Sequence, residues 1–206
     1  MHPETQAESS RFFRFSCTMC GDCCSGNISI PLNLHDLYMI SSFRDYTNSA
    51  ELFSRGLARL VRGEHNVLMP VMRFKGKRIK FCPFLLNTMG RNGEWQGVCS
   101  LHPHFKPLVC HLAPAGRVVD LETGINRFLF VPPTGACPGM RSGEMHLYED
   151  LQRTFRRELD YEERYYRLLE SVKHRNYDEQ KMLRDFYSFS MAQDFDAVIG
   201  HLEQVI

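Results

Sequence analysis

Four of the eight cysteines in this 206-residue chain fall within eight residues, Cys17-Thr18-Met19-Cys20-Gly21-Asp22-Cys23-Cys24. The spacing C-x2-C-x2-C-C constrains the fold more than any other feature, because two sulfurs separated by two residues can reach one metal ion and close the chain into a tight loop. Gly21 relieves that turn and leaves amides free to hydrogen-bond sulfur. Cys23 and Cys24 are adjacent, so their side chains point apart and one metal rarely accepts both. The pair therefore predicts two centres, a multinuclear cluster, or one ligand beside a free thiol. The first three cysteines share the C-x2-C-x2-C spacing of bacterial ferredoxin clusters and depart from it at the fourth position, where Cys24 follows at once.

Eight cysteines would also make four disulfides, the framework of exported proteins. Met1 to Ser16 carries acidic and polar residues where an export signal carries basic ones, and it lacks the apolar run such a signal needs. No stretch approaches the roughly 18 apolar residues of a membrane span. The expectation is a cytoplasmic protein with reduced thiols that serve as ligands. With 43% hydrophobic residues, and 25 Lys and Arg against 24 Asp and Glu, the chain is neither a disordered polyelectrolyte nor a strongly basic nucleic-acid binder.

The other cysteines sit at punctuated corners. Cys82 and Cys137 each precede a proline, which fixes the turn, and Cys99 and Cys110 bracket a short loop. The expected pool of metal ligands is Cys17, Cys20, Cys23, Cys24, Cys82, Cys99, Cys110 and Cys137. Iron–sulfur is slightly favoured, by the C-x2-C-x2-C run and the two Cys-Pro steps, while Zn2+ needs no assembly machinery and tolerates the scattered spacing.

These motifs carry a resemblance. C-x2-C-x2-C-C at Cys17 to Cys24, Cys-x-Phe-Leu at Cys82 to Leu85, Gly-x-Cys at Gly97 to Cys99, Lys-Pro-x-x-Cys at Lys106 to Cys110, and Cys-Pro-Gly at Cys137 to Gly139 follow one another in the order of the YkgJ-type cysteine-cluster family. That family is regarded as a zinc- or iron-chelating domain, and the resemblance spans about residues 17–140. Three departures surround Cys110: a loop one residue longer, with Phe105 as the insertion; His111 where an arginine often follows; and Ala113 where an aromatic often precedes the proline. The resemblance implies a metal centre and little about a reaction. The pattern is similar, too, to that of a flagellin lysine N-methylase, which implies an alternative as a metal- or cluster-dependent protein-modifying methyltransferase. A third reading is a zinc-stapled module that binds a protein partner through its C-terminal helices.

Organisation follows composition. Residues 1–16 form an N-terminal extension, residues 17–143 a cysteine-cluster metal-binding domain, and residues 144–206, without cysteine or proline, a helical segment packed on it. The expected fold class is α+β and mostly helical, with small β-hairpins and loops around a cysteine-ligated metal centre, followed by a C-terminal helical tail. Asn33 is read as the cap of one helix through Leu34, Leu37, Tyr38 and Phe43. Ser49 is read as the cap of a second through Leu52, Phe53, Leu57 and Leu60. Val67–Phe74 with Lys77–Phe81, and Gly116–Leu121 with Asn126–Val131, are read as hairpins. Tyr148, Leu151, Phe155, Leu159, Tyr166, Leu169 and Val172 form one helical stripe, with others beginning at Met182 and Val198.

Weaker signals have ordinary explanations. His102, His104 and His111 flank expected ligands but suit a supporting role, and Asp22 suits a turn cap. Five basic residues lie among the eight from Arg73 to Lys80, and a hairpin with alternate residues facing solvent accounts for them, so there is no strong nucleic-acid signal. Gly90, Gly93 and Gly97 around Trp95 read as a loop. Tyr161, Tyr165 and Tyr166 read as a helix stripe with amphipathic edges.

Overall fold

The computed structural model describes residues 11–63, 67–135, 137–175 and 177–206, with the backbone alone at residues 141 and 142. The first ten residues of the expected N-terminal extension lie outside the described residues. The next few form β1 (Phe12–Phe15), which pairs antiparallel with a strand over Met140–Leu147. That strand crosses the boundary drawn at residue 143.

Asn33 opens the first helix as expected. Its side chain accepts from the Asp36 amide at 2.8 Å, and the Asp36 carboxylate accepts from the Asn33 amide at 2.9 Å, so both end donors are satisfied reciprocally. The helix, α1 (Leu34–Phe43), buries Leu34, Leu37 and Ile40.

The second helix is cut short. Only α2 (Glu51–Ser54) forms, and Ser49 does not cap it; its hydroxyl donates instead to the Tyr187 carbonyl at 2.7 Å. Gly56 at φ 63 ends the turn, and Leu57 and Leu60 pass into an extended segment, β2 (Ala58–Arg62). This strand alternates buried and exposed residues against β3 (Leu68–Met72), with Leu60 opposite Pro70. The hairpin expected between Val67–Phe74 and Lys77–Phe81 is therefore replaced, because β3 finds its partner upstream. A further hairpin joins β4 (Leu85–Met89) to β5 (Trp95–Cys99), in a stretch read from its glycines as a loop.

A short helix, α3 (Leu108–Leu112), follows Pro107. The hairpin of β6 (Ala115–Asp120) and β7 (Ile125–Phe130) then turns at 121–124 as the sequence predicts. After β8 (Met140–Leu147) come α4 (Tyr148–Thr154), α5 (Arg156–Val172), α6 (Glu179–Phe186) and α7 (Phe195–Val205). The single stripe expected from Tyr148 to Val172 breaks at Phe155, which leaves helical geometry at ψ 25.

The expectation of a mostly helical fold is thus corrected: the described structure is 34% helical and 25% strand, the strands arranged as separate two-stranded antiparallel ladders. Apolar residues at steps of three to four near Leu57 and Leu60 suit either a helix or a strand with one buried face, and cross-strand pairing decides between them. Nor do the described residues contain a formed metal-binding group of the kind the expected fold was built around.

The main core lies between α1, the β2–β3 ladder and the tail helices, with Leu37, Ile40, Leu52, Tyr165, Phe186 and Ile199 almost fully buried. Two buried tyrosines satisfy one another: the Tyr165 and Tyr187 hydroxyls are 2.9 Å apart, and Tyr187 donates to the Leu68 carbonyl at 2.9 Å. A smaller core of Phe13, Leu108, Leu112, Phe128 and Leu159 holds β1, α3 and the β6–β7 hairpin. Arg117 pins that hairpin to α5 through Glu162 at 2.8 Å.

Candidate metal centre

The run from Cys17 to Cys24 has no regular structure before a 3-10 turn at Asp22–Cys24. Left-handed backbone at Met19 (φ 54) and Gly21 (φ 79) folds it sharply. Two neighbours hold the folded loop. The Gly97 amide on β5 donates to the Met19 carbonyl at 2.6 Å, and the Cys82 amide donates to the Cys24 carbonyl at 2.8 Å. Backbones touch at the first contact: a Cβ built on Gly97 would stand 2.6 Å from the Gly21 Cα. Gly97→Ala is expected to cost about 1–3 kcal/mol by forcing the loop off the hairpin. Urea melts check this; an unchanged midpoint would mean the contact is slack.

These contacts gather cysteines from four parts of the chain. Cys99 lies opposite Leu85 at the inner end of the β4–β5 ladder, and the Leu85 amide donates to the Cys82 carbonyl at 3.1 Å. Cys23 and Cys24 sulfurs are 3.9 Å apart. Cys24 is within electrostatic reach of Cys82 and Cys99, and Cys110 on α3 is within reach of Cys24 and Cys99. The inner set is Cys23, Cys24, Cys82, Cys99 and Cys110. Elsewhere Cys20 interacts with Cys137, and the Ser16 amide beside Cys17 donates to the Gly139 carbonyl at 3.3 Å, which puts Cys17, Cys20 and Cys137 at the other end of the run.

Crowding of thiols resists ionisation. Cys23 is pushed up by its hydrogen bond to Cys24 and then by burial. For Cys24 the bond from Cys23 lowers the value, but the bond to Cys82, burial and the nearby Cys82 and Cys99 outweigh it, leaving the thiol at about 12. Burial raises Cys110 and Cys20. The Lys106 charge opposes the rise at both Cys23 and Cys110. His111 packs its ring 5.1 Å from Phe155; burial first, then Lys106, His102 and His104, pushes it down to about 4. It stands as a neutral, packed histidine at neutral pH.

Sequence reasoning missed Asp36. Fully buried, it accepts from the Leu108 amide at 2.7 Å in addition to capping α1, and so clamps the start of the helix that carries Cys110. The Asn-x-x-Asp spacing of the capping box was the available signal, though nothing local points to residue 108.

All eight cysteines are free thiols. Among the described residues no three His, Cys, Asp or Glu side chains stand close enough to hold an ion. The donors of the inner set match Zn2+ or iron in kind, being thiols, and the Cys23–Cys24 pair stands at a spacing near that of two sulfurs on one ion. An open groove of about 520 Å³ between the β6–β7 turn and α5 is lined by Asp120, Ile125, Asn126 and Glu163, and no cysteine reaches it.

Comparison with family models, with curated proteins and with solved structures yields no match for this chain. Among the described residues no helix is long and apolar enough to cross a membrane.

Proposed function

We propose that this is a cysteine-cluster protein that binds metal through thiolates, as an iron–sulfur cluster or as Zn2+, with Cys24, Cys82, Cys99 and Cys110 as the principal ligands and Cys23 beside them. The observation that supports this reading is convergence: residues 24, 82 and 99, remote in sequence, are linked by backbone bonds between the cysteine loop and the β4–β5 hairpin with the turn before it, and Cys110 on α3 lies within electrostatic reach of Cys24 and Cys99. Support comes also from the resemblance to the YkgJ-type family. Zinc would supply a closed structural staple, and an iron–sulfur cluster a one-electron centre. This chain's part is to present sulfur from a loop already bent at Met19 and Gly21, beside Lys106, which offsets part of the negative charge of the thiolates.

The test is metal and labile-sulfide analysis of protein purified anaerobically. Iron with sulfide and sulfur-to-iron charge-transfer absorption supports the cluster, and zinc without sulfide supports the staple. Protein that carries neither, and takes up neither on reconstitution, would overturn the proposal.

A further inference from the structure

The basic run from Arg73 to Lys80 does not form the hairpin that accounted for it in sequence. Lys75 and Phe81 bridge each other through bonds of 2.9 and 2.8 Å, which closes a compact loop, and Gly76 at φ 146 packs against the Ile79 carbonyl where a Cβ would collide. Alternation is lost: Lys75, Lys77, Arg78, Ile79, Lys80 and Phe81 are all exposed, as is Arg73. None of these five cations has an ion-pair partner among the described residues.

The near-neutral total conceals this polarity. Residues 55–91 hold nine Lys and Arg and one acid, Glu64, whereas residues 144–206 hold 14 acids and nine basic residues. Like charges crowded on a closed loop repel one another, a cost that only an external anion relieves. The apolar side chains decide which anion. Ile79, 57% exposed, stands between Arg78 and Lys80, with Phe81 40% exposed beside them. A phosphate backbone would engage the cations and leave the aliphatic side chain in water. A lipid interface takes both, with cations at the headgroups and Ile79 at the acyl boundary.

We propose that the Arg73–Phe81 loop docks this protein on a membrane surface bearing anionic lipid headgroups. The site is independent of metal binding, although the Gly26 amide donates to the Lys80 carbonyl at 2.8 Å and so ties the loop to the end of the cysteine run. Docking therefore sets the cysteine centre beside the bilayer.

The experiment is cosedimentation of the full chain with vesicles of phosphatidylcholine alone and of phosphatidylcholine with phosphatidylglycerol. Binding is expected only with phosphatidylglycerol. Lys77→Gln with Arg78→Gln should weaken it about thirtyfold, at about 1 kcal/mol per charge near the surface. Ile79→Ser should weaken it about tenfold without changing charge. Because these side chains are exposed, both variants should melt like the parent. Failure to bind the anionic vesicles overturns the proposal, as does binding that either variant leaves intact. Capture of a single-stranded oligonucleotide in place of vesicles overturns it in favour of nucleic acid.

Discussion

Asp36→Ala is expected to lower the stability of the fold by about 3–5 kcal/mol and the melting temperature by about 10 °C. The carboxylate is the partner of two buried amides, Asn33 at 2.9 Å and Leu108 at 2.7 Å, and alanine leaves both without an acceptor. Each stranded donor costs about 1–3 kcal/mol, while the other half of the cap survives, because the backbone amide of residue 36 still donates to the Asn33 side chain. Burial pushes the Asp36 carboxyl up to about 7, against the lowering effect of those two amides. A carboxyl raised on folding contributes stability that is fully present below its unfolded value near 3.8 and is lost as pH rises through about 7. The gap between parent and variant should thus be widest near pH 4 and narrow toward pH 7. Urea denaturation across that range reads both, and a gap of under about 1 kcal/mol at pH 5 would show that water replaces the carboxylate. Beyond stability, the substitution frees the start of α3 and should loosen Cys110 from the inner thiol set.

The features legible in the sequence were those written locally. Asn33 caps α1 as read, although its reciprocal partner Asp36 went unread, and the Glu122-Thr123-Gly124 turn joins β6 to β7 in the expected place. Pairings between distant segments were not legible. Phe13 meets His146 across the β1–β8 ladder, and no pattern in residues 12–15 names that partner. Near residue 57 the signal was ambiguous in kind, since Leu52, Phe53, Leu57 and Leu60 have helical spacing, and only Gly56 in left-handed geometry and the β3 ladder make the second half a strand. The cysteines show the same division. Their clustering was plain, but their sorting depends on the Gly21–Gly97 contact and the Cys82–Cys24 bond, which link segments more than fifty residues apart.

That sorting makes the second large expectation a contrast between cysteines. Cys24→Ser and Cys110→Ser should each weaken metal binding more than about 100-fold, because even residues that merely support a ligand are worth about 10–100-fold. Cys17 stands at the far end of the run, where the Ser16 amide bonds to Gly139, so Cys17→Ser should retain the metal held by the inner set. Stability follows occupancy: metal present at about 100 times its dissociation constant stabilises the chain by about 2.7 kcal/mol, and the first two variants forfeit that gain while the third keeps it. In metal-free protein the Cys17 change alters an exposed thiol and should shift stability by less than about 0.5 kcal/mol. Metal content per chain and melting with and without chelator separate the outcomes. Equal metal in the parent, Cys24→Ser and Cys110→Ser proteins would remove the inner set as a ligand site. If Cys17→Ser instead lost its metal as fully as they do, the two groups of thiols would have to serve one multinuclear centre, with the loop at Gly21 closing around it.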